Sequence, residues 1–288
     1  MKAIIPAAGM GTRFLPVTKA IPKEMLPVVD KPIIQYAAEE AAAVGVTDIL
    51  IITGRGKRPI EDHFDRSHEL EDVLGRGGKD GVLNLVKSIS DIARFYYVRQ
   101  PEPRGLGDAV RCGSSFTNDQ PFYVLLGDIV VPDRDVLPKM RAVHEATGAS
   151  VIAVAPVAPE MVDRYGVISG HEEVGEGLPA GAWRVDALVE KPPVGSAPSN
   201  LAIVGRYLLT PRVMEILEST EPGANGEIQL TDALVSLLND EPLYAVVVGA
   251  EDSFDTGNVM AWLEANLKIS LADARYGDTV RDMVRRLV

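Results

Sequence analysis

Cysteine is almost missing from this chain: Cys112 is the only one among 288 residues. One thiol cannot close an internal disulfide, so a disulfide-stapled scaffold is excluded and a reducing compartment fits. Aromatic residues are sparse at 6%, and no apolar run approaches the length of a membrane-spanning helix. Basic side chains are outnumbered, 29 Lys and Arg against 41 Asp and Glu, which leaves a net charge of −12. That sign repels nucleic acid and anionic membranes, so neither is expected as a partner. His63, His68, His144 and His171 show no zinc spacing and stand in polar surroundings. No charged-then-apolar leader opens the chain, and a cytoplasmic protein is expected.

Two phosphate-binding signatures are absent as well. The Gly-x-x-x-x-Gly-Lys-Ser/Thr loop occurs nowhere, which disfavours ATPases and GTPases of that class. A dinucleotide loop of the Rossmann type would want a third glycine at position 14 and an immediate helix. Phe14 stands there instead, and Pro16 interrupts any helix.

What is present is concentrated at the start. The apolar run Ala3-Ile4-Ile5 reads as a buried strand that empties into Ala7-Ala8-Gly9-Met10-Gly11-Thr12-Arg13. Small residues with Gly9 and Gly11 let the backbone approach a ligand, so several N–H groups can converge on a phosphate oxygen. Arg13, Lys19 and Lys23 add cationic donors. Residues 1–31 carry a net +3 within a chain whose remainder is −15. A local positive site on an acidic protein suits a small polyanion, and a nucleoside triphosphate is the physical expectation.

Further along, strands are expected at 48–53, 94–99, 122–126, 150–157, 201–209 and 244–248. Helices are expected at 32–44, 136–147, 210–218, 227–238 and 259–273, with two or three short ones in 57–91. Residues 161–198 read as short strands and Gly/Pro loops, with strands at 164–167 and 183–189, and Phe254-Asp255-Thr256-Gly257-Asn258 reads as a turn. The alternation implies an α/β fold: a Rossmann-like mixed, mostly parallel sheet flanked by helices. Ligands in such sheets sit beyond the carboxyl ends of the strands, where Gly9, Gln100 and Asp128 fall. The main domain is expected over 1–273, followed by a helical tail over 274–288 whose Val280, Met283, Val284 and Leu287 share one face. Asp128 and Asp255 each end an apolar strand before a loop. Hard oxygen ligands supplied singly, with water and phosphate completing the shell, are how Mg²⁺ is held at nucleotides; a turn residue or helix cap is the plainer alternative.

The first segment together with Pro22-Lys23-Glu24-Met25-Leu26-Pro27 resembles the signature of the sugar nucleotidyltransferases. The likeness runs from Lys2 to about Ile269, and the Lys-Glu-Met-Leu-Pro version is most similar to the branch that transfers uridylyl groups to glucose 1-phosphate. It implies UTP and glucose 1-phosphate as substrates, Mg²⁺ on Asp128 and Asp255, and a homodimer or homotetramer. It also implies a nucleotide-binding part at about 1–157 and a sugar-binding part at about 158–258.

By the same resemblance, Ala8, Gly9, Gly11, Thr12, Arg13 and Lys23 surround the triphosphate, and Gln100 and Gly105 read the base. Gly166, Asn200 and Gly205 line the sugar; Glu190 accepts hydrogen bonds from its hydroxyls and Lys191 clamps its phosphate. The motif Glu227-Ile228-Gln229-Leu230-Thr231-Asp232 shapes the sugar pocket, while Tyr207 could equally be core. Two departures leave dTTP open beside UTP. Gly127-Asp128-Ile129 stands where the uridylyl branch often has Pro-Asp-Asp, and Asp108 where it often has His.

Overall fold

Strands buried on both faces, with successive side chains pointing to opposite sides, organise the centre of the molecule. Ala3, Ile4 and Ile5 are all fully buried, yet Ala3 and Ile5 belong to one apolar cluster and Ile4 to another on the opposite face. The neighbouring strands repeat the pattern: Ile49, Ile51, Tyr123 and Leu125 join the first cluster, Leu50, Ile52, Phe122 and Val124 the second. A sheet buried on both faces requires helices on both, and it has them.

The structure, a computed structural model, describes residues 1–175, 177–223, 226–249 and 253–287. The strands in chain order are β1 (Lys2–Pro6), β2 (Pro27–Val28), β3 (Lys31–Pro32), β4 (Asp48–Thr53) and β5 (Arg94–Arg99). They continue with β6 (Phe122–Leu125), β7 (Ile129–Val130), β8 (Ser150–Pro156) and β9 (Gly166–Glu172). The last are β10 (Ala182–Glu190), β11 (Leu201–Leu209), β12 (Leu243–Val247) and β13 (Phe254–Asp255). Nine of them form one sheet in the order β5-β4-β1-β6-β11-β8-β12-β10-β9. Pairings β5–β4, β4–β1, β1–β6 and β8–β12 are parallel, whereas β11 and β10 run against their neighbours. The fold is the expected mixed α/β sheet flanked by helices.

Three differences from the sequence reading matter for the site. Within residues 161–198 the strand expected at 183–189 is β10, whereas the short run expected at 164–167 gives way to the full strand β9; the two pair antiparallel, with an irregularity between Val185 and Ala187. The expected turn at 254–258 begins as β13, which pairs with β7 so that Asp255 stands opposite Ile129. A two-residue strand has no periodicity to read; only its partner defines it. The helix expected from Glu227 starts at Leu230, which leaves Glu227 to Gln229 as an extended lead-in.

The tail forms a helix over Gly277–Leu287 and contacts the helix Val259–Ala272 of its own chain. Arg281 donates to the Leu271 carbonyl at 2.7 Å, and Arg275 grips Asp30 through two hydrogen bonds of 2.7 and 3.0 Å. Val280 and Val284 are half-buried there, while Met283 remains exposed.

Candidate active site

A cleft of about 650 Å³ opens where the parallel strands end. It gathers Ala8, Gly9, Arg13, Lys23, Gln100, Gly105, Asp128, Gly166, Glu190, Lys191 and Asp255 from the residues singled out in the sequence. Gly11, Thr12, Asn200 and Gly205 are not among its lining residues, and neither is Lys19.

At the end near β1, Gly11 takes φ +67°, and a single turn of 3-10 helix over Thr12–Phe14 follows. Phe14 is buried edge-on against Trp262, which pins the turn. Arg13, next to it, is exposed and has no hydrogen bond or ion pair among the described residues, so its guanidinium stands ready for an anion. Lys23 is differently placed: its Nζ lies 2.5 Å from Asp128 Oδ2. Burial alone would lower the Lys23 ammonium, but Asp128 and Glu24 outweigh that and raise it. Beneath them Glu24 pairs with Lys57 at 2.7 Å inside the protein, and Glu24 Oε1 has no partner; burial pushes this carboxyl up.

The β7–β13 pairing sets the two aspartates side by side. Thr256 donates to the Asp128 carbonyl through its backbone N–H at 3.0 Å and its hydroxyl at 2.6 Å, which ties the two loops together. Asp255 accepts from the Gly257 N–H at 2.8 Å and from the Tyr165 hydroxyl at 3.3 Å. Their electrostatic situations differ. Burial would raise Asp128, yet Lys23 wins and holds it below the usual carboxylate range. Asp255 has no cation of its own in contact and is raised, by burial first and then by the Asp128 charge. Burial and Asp255 together push the Tyr165 phenol up to about 12.

The end of the cleft at Gly105 is built by an exchange between two distant segments. Gly105 has φ +103°, and a Cβ there would lie 2.6 Å from the Ile228 carbonyl, so no other residue fits. Gly107 N–H donates to that carbonyl at 2.8 Å, and Ile228 N–H donates to the Arg104 carbonyl at 2.7 Å. The lead-in to the helix Leu230–Leu237 therefore brackets the Gly105 loop. Gln100 is buried beside it and donates through Nε2 to Asp108 Oδ2 at 2.7 Å and to the Gly105 carbonyl at 3.2 Å.

At the far end, Glu190 Oε2 accepts from the Thr231 hydroxyl at 2.7 Å, and Glu190 Oε1 lies 3.1 Å from Lys191 Nζ. A Cβ on Gly166 would meet Thr231 Oγ1 at 3.0 Å and Glu190 Oε2 at 3.2 Å, so the glycine keeps that contact possible. Lys191 sits at φ +45°, held by its N–H donating to the Tyr165 carbonyl at 3.0 Å. Glu227, Thr231 and Tyr207 line the same region. The segment 227–232 thus reaches both the Gly105 loop and the Glu190–Lys191 pair.

The remaining sequence candidates occupy other places. Asn200 donates through Nδ2 to the Val157 carbonyl at 3.3 Å on the surface. Gly205 is buried at φ +69°, and a Cβ there would lie 2.7 Å from Ile129 Cδ1, so it packs beneath the Asp128 loop instead of facing the cleft. Arg164, Tyr165 and Asn258 line the cleft without having been singled out. Arg164 and Tyr165 precede Gly166, so proximity in the chain was the one available signal.

The chain belongs to the Nucleotidyl transferase family, whose pattern it matches over residues 2–271. It is 46% identical over 287 residues to a UTP–glucose-1-phosphate uridylyltransferase of Staphylococcus haemolyticus (strain JCSC1435), covering 99% of this chain and 98% of that protein. Among solved structures it is similar to a UTP-bound UGPase from Acinetobacter baumannii, at TM-score 0.90 and 38% identity over 100% of this chain and 99% of the other. It is also similar to a UDP-glucose pyrophosphorylase complexed with UDP-glucose, at TM-score 0.83 and 41% identity over 94% and 99% of the two chains.

Proposed function

We propose that the protein transfers UMP from UTP to glucose 1-phosphate, giving UDP-glucose and pyrophosphate. The observation that carries this is one cleft in which Arg13, unpaired among the described residues, at one end and the Glu190–Lys191 pair at the other flank two adjacent aspartates. The names and bound molecules of the relatives agree with it.

In this reading the phosphate oxygen of glucose 1-phosphate attacks the α-phosphorus of UTP in line, and pyrophosphate leaves. A phosphate monoester has a second pKa of about 6, so the nucleophile is ionised at neutral pH without a general base. The protein's task is positioning and neutralisation. Arg13 and Lys23 hold the triphosphate, Lys191 aims the sugar phosphate, Glu190 accepts from sugar hydroxyls, and Gln100 with Gly105 meets the base.

Asp128 and Asp255 suit Mg²⁺. They are adjacent carboxylates, Asp255 has no contacting cation, and no third His, Cys, Asp or Glu joins them among the described residues, which leaves coordination positions for water and phosphate. When bound, the ion would neutralise phosphate charge between the two side chains. A homodimer or homotetramer is part of the same proposal; if the exposed side of the tail carries it, truncation at Gly277 should turn the oligomer into a monomer in light scattering.

Pyrophosphate release measured across UTP, dTTP, CTP, ATP and several sugar 1-phosphates tests the reaction. UTP with glucose 1-phosphate should give the highest kcat/KM. A dTTP preference would move the protein to the thymidylyl branch, and no release with any pair would favour a binding protein that kept the fold.

A further inference from the structure

The buried pair Gln100–Asp108 has a consequence for base choice that rests on the nucleotide reading above. A glutamine amide carries two N–H donors, and here both are taken, one by Asp108 Oδ2 at 2.7 Å and one by the Gly105 carbonyl at 3.2 Å. An ionised carboxylate and a backbone carbonyl are acceptors only, so neither can face the amide oxygen. Turning the amide over would set Oε1 against two acceptors in a buried space, where Gln100 and Asp108 are only 5% and 6% exposed. Oε1 itself has no hydrogen bond to protein among the described residues, and Gln100 lines the cleft. The group offered to a ligand is therefore an acceptor of fixed orientation. Asp108 is in turn held by Arg111 at 2.5 Å, which keeps its own carboxylate in place.

We propose that Asp108 is a specificity-determining positioning residue: it locks the Gln100 amide so that the cleft accepts a base edge with a ring N–H, as in uracil or thymine, and rejects cytosine. Cytosine presents a bare ring nitrogen at that edge, and two acceptors facing each other leave both unsatisfied. A glutamine free to flip would serve either base. The carboxylate at 108 removes that freedom, and it does so without touching the nucleotide.

Asp108→Asn tests the lock, because a side-chain amide can face Gln100 with either its oxygen or its nitrogen. The UTP-over-CTP ratio of kcat/KM should fall about tenfold, the equivalent of one hydrogen bond of ordinary strength, with the change in KM rather than kcat. Arg111→Ala weakens the same ion pair but keeps the carboxylate against the amide, and should leave the ratio within about twofold, a span too small to represent a hydrogen bond. Asp108→Ser, whose hydroxyl can also donate or accept, is the second variant if the first does not fold; it should relax the ratio likewise. An unchanged ratio in a folded position-108 variant, or an equal loss in Arg111→Ala, overturns the lock. Equilibrium binding of UTP and CTP to the same proteins reads the preference without turnover. A native protein that prefers UTP in binding yet transfers nothing would overturn the proposed reaction and not the lock.

Discussion

Lys23 Nζ lies 2.5 Å from Asp128 Oδ2, so a lysine expected to hold triphosphate and an aspartate expected to hold metal neutralise each other within the protein. A buried aspartate left alone would carry a large desolvation penalty, and the lysine offsets it. Asp255, a neighbour tied to the same loop through Thr256, has no such partner. If Lys23 takes phosphate and Asp128 takes the ion, as proposed, each would have to give up this internal pair.

Metal dependence follows from this charge pattern. Turnover should require Mg²⁺ or Mn²⁺, and Asp128→Asn and Asp255→Asn should each reduce it by at least ~10²-fold, the scale of one preorganised charge. Asn keeps the shape and one oxygen and loses only the charge. Undiminished turnover in excess EDTA, with folded variants confirmed by circular dichroism, would remove the two-aspartate site.

Asp255 should also leave a signature in stability. Its folded pKa is raised, so in the metal-free protein its ionisation opposes folding as pH climbs from the usual carboxylate range through the elevated value. Asp255→Asn should therefore melt higher than the native protein at pH 7. The advantage should shrink as pH falls through that elevated value toward the usual carboxylate range, because the folded carboxyl has by then taken up its proton. Differential scanning calorimetry in EDTA at several pH values checks both the sign and the window.

Lys191→Ala should damage use of glucose 1-phosphate far more than UTP binding. Lys191 stands with Glu190 at the end of β10, and Arg13 and Lys23 come from the segments after β1. A loss of roughly 10²-fold in kcat/KM for the sugar phosphate is expected. Isothermal titration with each substrate separates the cases: equal weakening of both would contradict the assignment.

Gly105→Ala should weaken UTP binding and destabilise the fold together. The new Cβ would lie 2.6 Å from the Ile228 carbonyl at φ +103°, a conformation that costs other residues about 1–3 kcal/mol. A matching substitution at Gly45, where φ is +82° but nothing lies within 4 Å, should cost stability without touching KM for UTP. Denaturant melts and initial rates on both variants distinguish backbone strain from a lost contact.

Much of the architecture was legible because burial on two faces writes short continuous apolar runs into the chain. β4, β5 and β11 have the limits read from sequence, and β1, β6, β8 and β12 lie within a residue or two of theirs. Local patterns of this kind need no partner to be recognised. The stretch 161–198 was harder, since β9 and β10 are partly exposed and interrupted by an irregular pairing that blurs alternation.

The sequence by itself determined the α/β class, the phosphate-seeking loop after β1, and the charged side chains available for the chemistry, because composition, period and motif are properties of neighbouring residues. Tertiary structure alone decided which of them meet. Asp255 reaches Asp128 only because β13 pairs with β7; Thr231 reaches Glu190 only because the helix Leu230–Leu237 lies against β10. Gly205 is drawn into the core under Ile129, and Asp108 turns inward to hold Gln100. Each is a contact between segments apart in the chain, or an inward turn that only packing enforces, and no local pattern encodes a distance across a fold.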